Sequence, residues 1–303
     1  MKKRNSLIEL YRFLFSLNVV KSHSLFPYRG PYFSPGRVSV EFFFVLSGYL
    51  FARSQEKWRK LPMREALRAL LRSKLGPLAI PLVIGLLSNL ACNIVTGDYF
   101  GGLWGYLWYV HAMIVTMFFY VILRNRITND RAFFYTVLGI CIAATLGRFS
   151  GIFYSWGYFR AASTLSLGML LAKLPPLPER YRRLVPVFLI PVQLACLAIV
   201  AHGLGDVTAF GGLPWVEVIL DLLLYPALIY LTFQLTVHSR ILNYLGALSF
   251  GLYAFQCPAD LLRELGVTNV PHLFALILAA TLLEDAVKRL LRRRRRQAAL
   301  TPL

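Results

Sequence analysis

The chain has 303 residues, of which 57% are hydrophobic and only 16% charged, where a soluble domain has about 45–50% apolar and about 25% charged residues. With a strongly positive mean hydropathy, this excludes a soluble globule with a large core and points to a fold set by lipid. The net charge of +19, from 33 Lys+Arg against 14 Asp+Glu, sits in clusters between apolar runs; with no recognition module beside them, nucleic acid is excluded as a partner.

Cutting the chain at charge clusters and Gly/Pro turns predicts ten membrane-crossing helices, near 6–27, 38–53, 75–96, 104–123, 132–148, 158–173, 184–202, 214–237, 242–262 and 271–289. The expected fold is therefore all-α and polytopic. A single transmembrane domain covers 1–290, a basic cytoplasmic tail covers 291–303, and too few residues remain for a second soluble domain. The first segment follows basic residues, but it contains Glu9, Arg12, Lys21 and His23 and lacks a small-residue cleavage site. It reads as a retained span, not a signal peptide. Several segments are shorter than a straight crossing needs, the second most of all, so bilayer thinning or burial by neighbours is expected.

The polar stretch 53–74 is predicted to be an amphipathic helix along the cytoplasmic surface, because Arg64, Arg68 and Arg72 recur every fourth residue. The segment 97–109, GDYFGGLWGYLWY, is a Gly- and aromatic-rich outer loop. Cys92, Cys141, Cys196 and Cys257 lie within apolar runs without a C-x-x-C pair, so neither a disulfide framework nor a metal site is expected. Arg292–Arg296 would meet anionic headgroups of the inner leaflet.

Orientation follows from the basic residues. With the N-terminus inside, the inner segments hold 26 Lys/Arg and the outer ones hold five, Arg29, Arg37, Arg148, Arg160 and Arg263. The positive-inside rule then puts both termini in the cytoplasm, with the protein in the plasma membrane, the inner membrane of a bacterium.

Ionisable groups within spans are costly and mark function by default. Glu9 and Arg12 are three apart and can pair on one helix face. His23 lies eleven residues beyond Arg12, within about 20° of three full turns and about 16 Å further along, so the two share a face. Plainer readings stand beside these: an interfacial Glu9–Arg12 pair, a snorkelling Lys21 and a hydrogen-bonded core histidine. In the second span, VSVEFFFVLSGYLF, lipid-facing aromatics and close helix approach at Ser47-Gly48 are the plain alternatives.

Taken together, Glu9-x-x-Arg12, His23 and the string VEFFFVLSGY (Val40–Tyr49) resemble the acyltransferase-3 family of integral membrane O-acyltransferases. LWYV at Leu107–Val110, Arg160 followed by Gly168–Leu171, and LSFGLYAFQ at Leu248–Gln256 are similar to further family segments, so the resemblance spans about residues 6–260. One departure concerns the R-x-x-R that the family usually carries just before a proline. Ahead of Pro77, Lys74 stands in the second arginine's place and Leu71 in the first, with Arg72 next to it.

The resemblance implies transfer of an acyl group, most often acetyl, from cytoplasmic acyl-CoA to a hydroxyl of a cell-envelope or secreted glycan or a lipid-linked sugar. Acyl-CoA is then a cosubstrate, and no cofactor is held permanently. Arg12, Arg72 and Lys74 on the inner side suit the phosphates of CoA, and the pantetheine arm would run up the first helix from Arg12 towards His23. His23 is the expected general base for the attacking hydroxyl. Glu41 would orient its imidazole, or else cap the helix or bind the acceptor. Trp108 and Tyr109, with Tyr106, suit a sugar-stacking wall, with an aromatic belt as the plain alternative; Gln256 completes the acceptor set. A transporter or flippase using the same buried charges as a substrate path is the competing class, followed by a purely structural membrane subunit.

Overall fold

The computed structural model describes residues 5–21, 35–54, 59, 61–74, 76–97, 102–150, 157–202, 215–267 and 269–298. Among these residues every regular element is helical: α1 (Ser6–Val20), α2 (Pro35–Ser54), α3 (Met63–Lys74), α4 (Ala79–Thr96), α5 (Trp108–Arg126), α6 (Asp130–Phe149), α7 (Gly157–Leu171), α8 (Val185–His202), α9 (Trp215–Ile219), α10 (Tyr225–Gln234), α11 (Arg240–Glu264) and α12 (Val270–Ala298). Each predicted apolar segment falls on a helix, with α9 and α10 sharing one segment. Among the described residues, three stretches are long and apolar enough by themselves to cross a membrane: Ala79–Thr96, Asp130–Arg148 and Glu217–Gln234. Other helices carry polar groups that lower their hydropathy, and many of these are buried inside the bundle, among them Glu9, Glu41, Arg160 and Gln256.

Of the amphipathic helix expected over 53–74, α3 is the part that the described residues show in full, from Met63 to Lys74. Helix α2 continues to Ser54, and α3 begins only after Pro62, whose carbonyl accepts from Ala66 N–H at 2.9 Å. Within α3, Ala66 and Leu70 are buried while Arg64, Arg68 and Arg72 are exposed.

Several basic segments meet at one end of the bundle. Asn5 donates to the carbonyls of Thr232 and Leu235, both at 2.8 Å, which ties the start of α1 to the end of α10. Ser6 N–H bonds the Val237 carbonyl at 3.0 Å, and its hydroxyl lies 3.1 Å from Asn243, so α1 and α11 start together and run parallel. Arg53 stacks over Tyr49 and Phe233 at the same end. Arg59 and Arg124 share Asp130 at the turn between α5 and α6. Leu177 N–H bonds Gln234 Oε1 at 3.0 Å, so these contacts bring together the 53–74, 124–131 and 173–183 clusters, and this is called the basic end below.

Two close approaches hold the middle of the bundle. Gly48 of α2 lies so near α7 that an added Cβ would sit 2.0 Å from the Leu165 carbonyl oxygen, and one on Gly168 would sit 2.0 Å from the Val45 oxygen. Small residues here let the two backbones touch. On α11, Gly246 makes room for Glu9 of α1 in the same way.

The join of α9 and α10 is a π turn, Leu220–Leu224. Pro226 has no N–H for the carbonyl one turn back, and the Tyr225 N–H reaches back five residues to Leu220. The widened turn directs Glu217 and Asp221 into the same buried region.

Candidate active site

A cavity of about 350 Å³ lies among α1, α2, α5 and α11, with the end of α3 beside it. Its walls are mostly apolar, from Phe43, Leu46 and Leu50 on α2 and Met113 and Met117 on α5. Arg12 and Lys74 are its cations. Arg12 Nη1 holds Glu9 Oε2 at 2.7 Å, the i, i+3 pair expected from the sequence, whereas Lys74 makes no ion pair among the described residues. Burial, and secondarily the Arg12 guanidinium, push the Lys74 ammonium below the ordinary lysine value. Two cations kept close at the edge of an apolar cavity suit a polyanion whose remainder is an apolar chain.

Ser16 is one turn beyond Arg12 on α1 and also lines the cavity. It is buried, and its hydroxyl has no hydrogen-bond partner among the described residues. Other buried helical hydroxyls here bond back to a carbonyl of the preceding turn, as Thr164 does to Arg160 and Thr232 to Leu228, both at 2.6 Å. Further in, Tyr109 at the start of α5 directs its hydroxyl to Met113 Sδ at 3.3 Å, and Ser47 of α2 directs its own to the same sulfur at 3.4 Å. From Met117 to Tyr109 the cavity follows α5 for about 12 Å.

A buried ion cluster lies away from the basic end, where α2, α6, α7, α9 and the π turn converge. Arg148 Nη2 is 2.8 Å from Glu41 Oε1, 2.9 Å from Asp221 Oδ2 and 3.9 Å from Glu217 Oε2. Arg160 bonds the same Glu41 oxygen and reaches Glu217 Oε2 at 3.2 Å. All five side chains are at most 3% exposed. Charges so deeply buried persist only when paired. Here the pairing draws α2, which forms a wall of the cavity, against three other segments.

A family model for an acyltransferase domain, that of the acyltransferase-3 family, matches residues 5–284. The chain belongs to the acyltransferase-3 family. Neither a curated protein nor a solved structure matches it.

The candidate residues of this acyltransferase-3 protein fall in several places. Arg12 and Lys74 meet at the cavity, but Arg72 is exposed and does not line it, since its position on α3 points away from the face that Lys74 presents. Tyr109 lines the cavity beside the cations' compartment, so it is not on a separate acceptor wall. Trp108, next in sequence but turned about 100° on the helix, packs against Phe44 and Gly157 instead. Glu41 is committed to Arg148 and Arg160. Gln256 is fully buried, its amide has no partner among the described residues, and it does not line the cavity. His23 lies outside the described residues.

Sequence reasoning missed Ser16, Met113 and the carboxylates Glu217 and Asp221, and it counted Arg148 and Arg160 with the outer loops. The available signal was the i, i+4 spacing of Glu217 and Asp221 within an otherwise apolar run.

Proposed function

We propose that this protein is a membrane O-acyltransferase that takes an acyl group, acetyl in the simplest case, from acyl-CoA at the cytoplasmic face. It passes the group to a hydroxyl of a cell-envelope or secreted glycan, presented free or on a lipid carrier. The single observation that carries this reading is the cavity with Arg12 and Lys74 at one side and an apolar interior. Its shape and charge match a phosphate-bearing nucleotide continued by a pantetheine arm.

In this reading the CoA phosphates bind Arg12 and Lys74, with Arg72 nearby on the exposed surface. The arm enters between α1, α2 and α11, and the thioester reaches the level of Tyr109. The family resemblance supports His23 as the base that takes the acceptor's proton. The basic residues support an inward-facing basic end, hence cytoplasmic termini and a plasma-membrane location, the inner membrane in a bacterium. No resident cofactor or metal takes part in this scheme.

The test is purified protein in nanodiscs given acetyl-CoA and a glycan acceptor, with released thiol and CoA affinity both measured. Thiol release that needs the protein is expected. Arg12→Ala should weaken CoA binding at least tenfold, since a charge-assisted bond is worth about 1.5–3 kcal/mol. His23→Ala should lower turnover by about 10²-fold or more. Unchanged CoA affinity in Arg12→Ala would remove the donor role of this cavity, and glycan movement without thiol release would replace the reading with a transporter.

A further inference from the structure

Two hydroxyls at the inner part of the cavity have unusual partners. Several buried hydroxyls elsewhere among the described residues give their protons to carbonyl oxygens, as Ser249 does to Gly246 at 2.9 Å and Thr281 to Ile277 at 2.8 Å. Ser47 and Tyr109 instead converge on the Met113 thioether at 3.4 and 3.3 Å. Thioether sulfur is a weak acceptor on a flexible side chain, so it is readily displaced by a better one. Both hydroxyl oxygens lie within 3.4 Å of the one sulfur, so the two donors face a common point. All three residues line the cavity.

The donors are held rigidly. The Tyr109 ring meets Phe44 edge-on at 4.7 Å and Tyr253 at 5.7 Å, and it leans on Phe43 at 6.0 Å. Ser47 is next to Gly48, whose backbone touches Leu165. Paired hydrogen-bond donors, held on a mostly apolar cavity wall and facing a weak placeholder, are the arrangement that stabilises an oxygen on which negative charge develops.

We propose that Tyr109 and Ser47 form the oxyanion hole of the acyl transfer and act as catalytic residues on the thioester carbonyl oxygen. The inference rests on the donor reading of the cavity given above. As the acceptor oxygen forms its bond to the thioester carbon, the carbonyl π pair moves onto oxygen, and the two hydroxyls bond that tetrahedral oxyanion. When the pair returns, the C–S bond breaks and its electrons leave on sulfur. The acceptor hydroxyl's proton ends on that thiolate, so the products are the ester and CoA thiol, and no further reactant is needed. Met113 turns aside when the carbonyl enters.

The experiment compares wild type with Tyr109→Phe and Ser47→Ala, with kcat, KM and the affinity for CoA thiol measured separately. CoA thiol has no carbonyl, so its binding reports folding and the phosphate contacts alone. Tyr109→Phe should lower kcat about 10²-fold or more while CoA thiol affinity stays within about twofold, and Ser47→Ala should do the same to a smaller degree. In infrared difference spectra, the carbonyl stretch of isotope-labelled acetyl-CoA should be lower when bound to wild type than in Tyr109→Phe, because a hydrogen bond weakens the C=O bond.

A kcat for Tyr109→Phe within about threefold of wild type overturns the proposal. So does a loss that falls equally on CoA thiol binding, which would mark a packing role, or an identical bound carbonyl frequency in the two proteins. If wild type turns over no acyl-CoA, the donor reading fails and takes this inference with it. If wild type turns it over and Tyr109→Phe does so equally well, only this inference fails.

Discussion

Replacing Gly48 with alanine puts a methyl carbon 2.0 Å from the Leu165 carbonyl oxygen, 2.8 Å from its carbonyl carbon and 3.0 Å from its Cα. Ordinary contact begins at 3.4 Å, so α2 and α7 must part by more than about 1 Å, a gap comparable to the whole width of the dispersion well. The obstructing atoms are all backbone, so no rotamer change relieves the clash. Gly168 locks the same pair from the other side, where an added Cβ would sit 2.0 Å from the Val45 oxygen, so a local tilt is also blocked. Overpacking of this kind typically costs about 1–3 kcal/mol, and a backbone-to-backbone clash belongs at the upper end, near about 3 kcal/mol. The displaced helix carries Phe43, Leu46, Ser47 and Leu50 of the cavity wall, so CoA binding should weaken together with stability.

The control is Gly139→Ala on α6, where an added Cβ meets nothing within 4 Å. There alanine's helix propensity should leave stability unchanged or raise it by up to about 1 kcal/mol. Thermal unfolding in detergent and CoA titration on the two variants decide the matter. A Gly48→Ala protein with the unfolding midpoint and CoA affinity of Gly139→Ala would refute the backbone contact and, with it, the mutual positioning of α2 and α7.

Removal of Arg160 as Arg160→Met leaves Arg148 alone to balance the buried Glu41, Glu217 and Asp221, which should cost about 3–5 kcal/mol in unfolding measurements; a change under about 1 kcal/mol would show that the cluster does not hold these helices. Ser16→Ala should act oppositely on stability and binding. It deletes a hydroxyl that has no partner among the described residues, so the empty protein should be as stable or more so, while CoA affinity should fall about fivefold for one lost neutral hydrogen bond. Equal affinities for the two proteins would take Ser16 out of the donor site. Lys74 has its pKa depressed in the folded protein, so its protonated form, which binds the phosphates, is lost as pH rises through a value below that of an ordinary lysine. CoA affinity should therefore fall over that rise in pH, while the empty protein gains stability over the same rise because the unfolded chain binds the extra proton. Lys74→Arg keeps its charge throughout and should remove the fall in affinity; matching pH profiles for the two proteins would exclude Lys74 as the titrating group.

What the sequence by itself determined is what local physics controls. Apolar length and Gly/Pro punctuation located the helices, because a backbone in lipid must satisfy its hydrogen bonds within each segment. Three-residue spacing was enough for the Glu9–Arg12 pair, since both groups sit on one helix. The motif strings carried the family, which the match over residues 5–284 bears out. Segment 53–74 was legible in its charge period, which places Arg64, Arg68 and Arg72 on the exposed side of α3.

Only the tertiary structure decided which distant side chains meet. Glu41, Arg148, Arg160, Glu217 and Asp221 come from four separate segments. Read alone, Arg148 and Arg160 look like outer-loop charges, because nothing near them in sequence announces a partner. Trp108 and Tyr109 look alike in a string of aromatics, yet one step of helix rotation sends one against Gly157 and the other into the cavity. The convergence of Ser47 and Tyr109 on Met113 depends on how closely α2 approaches its neighbours, and the glycine contact with α7 that sets this approach is a property of two helices together.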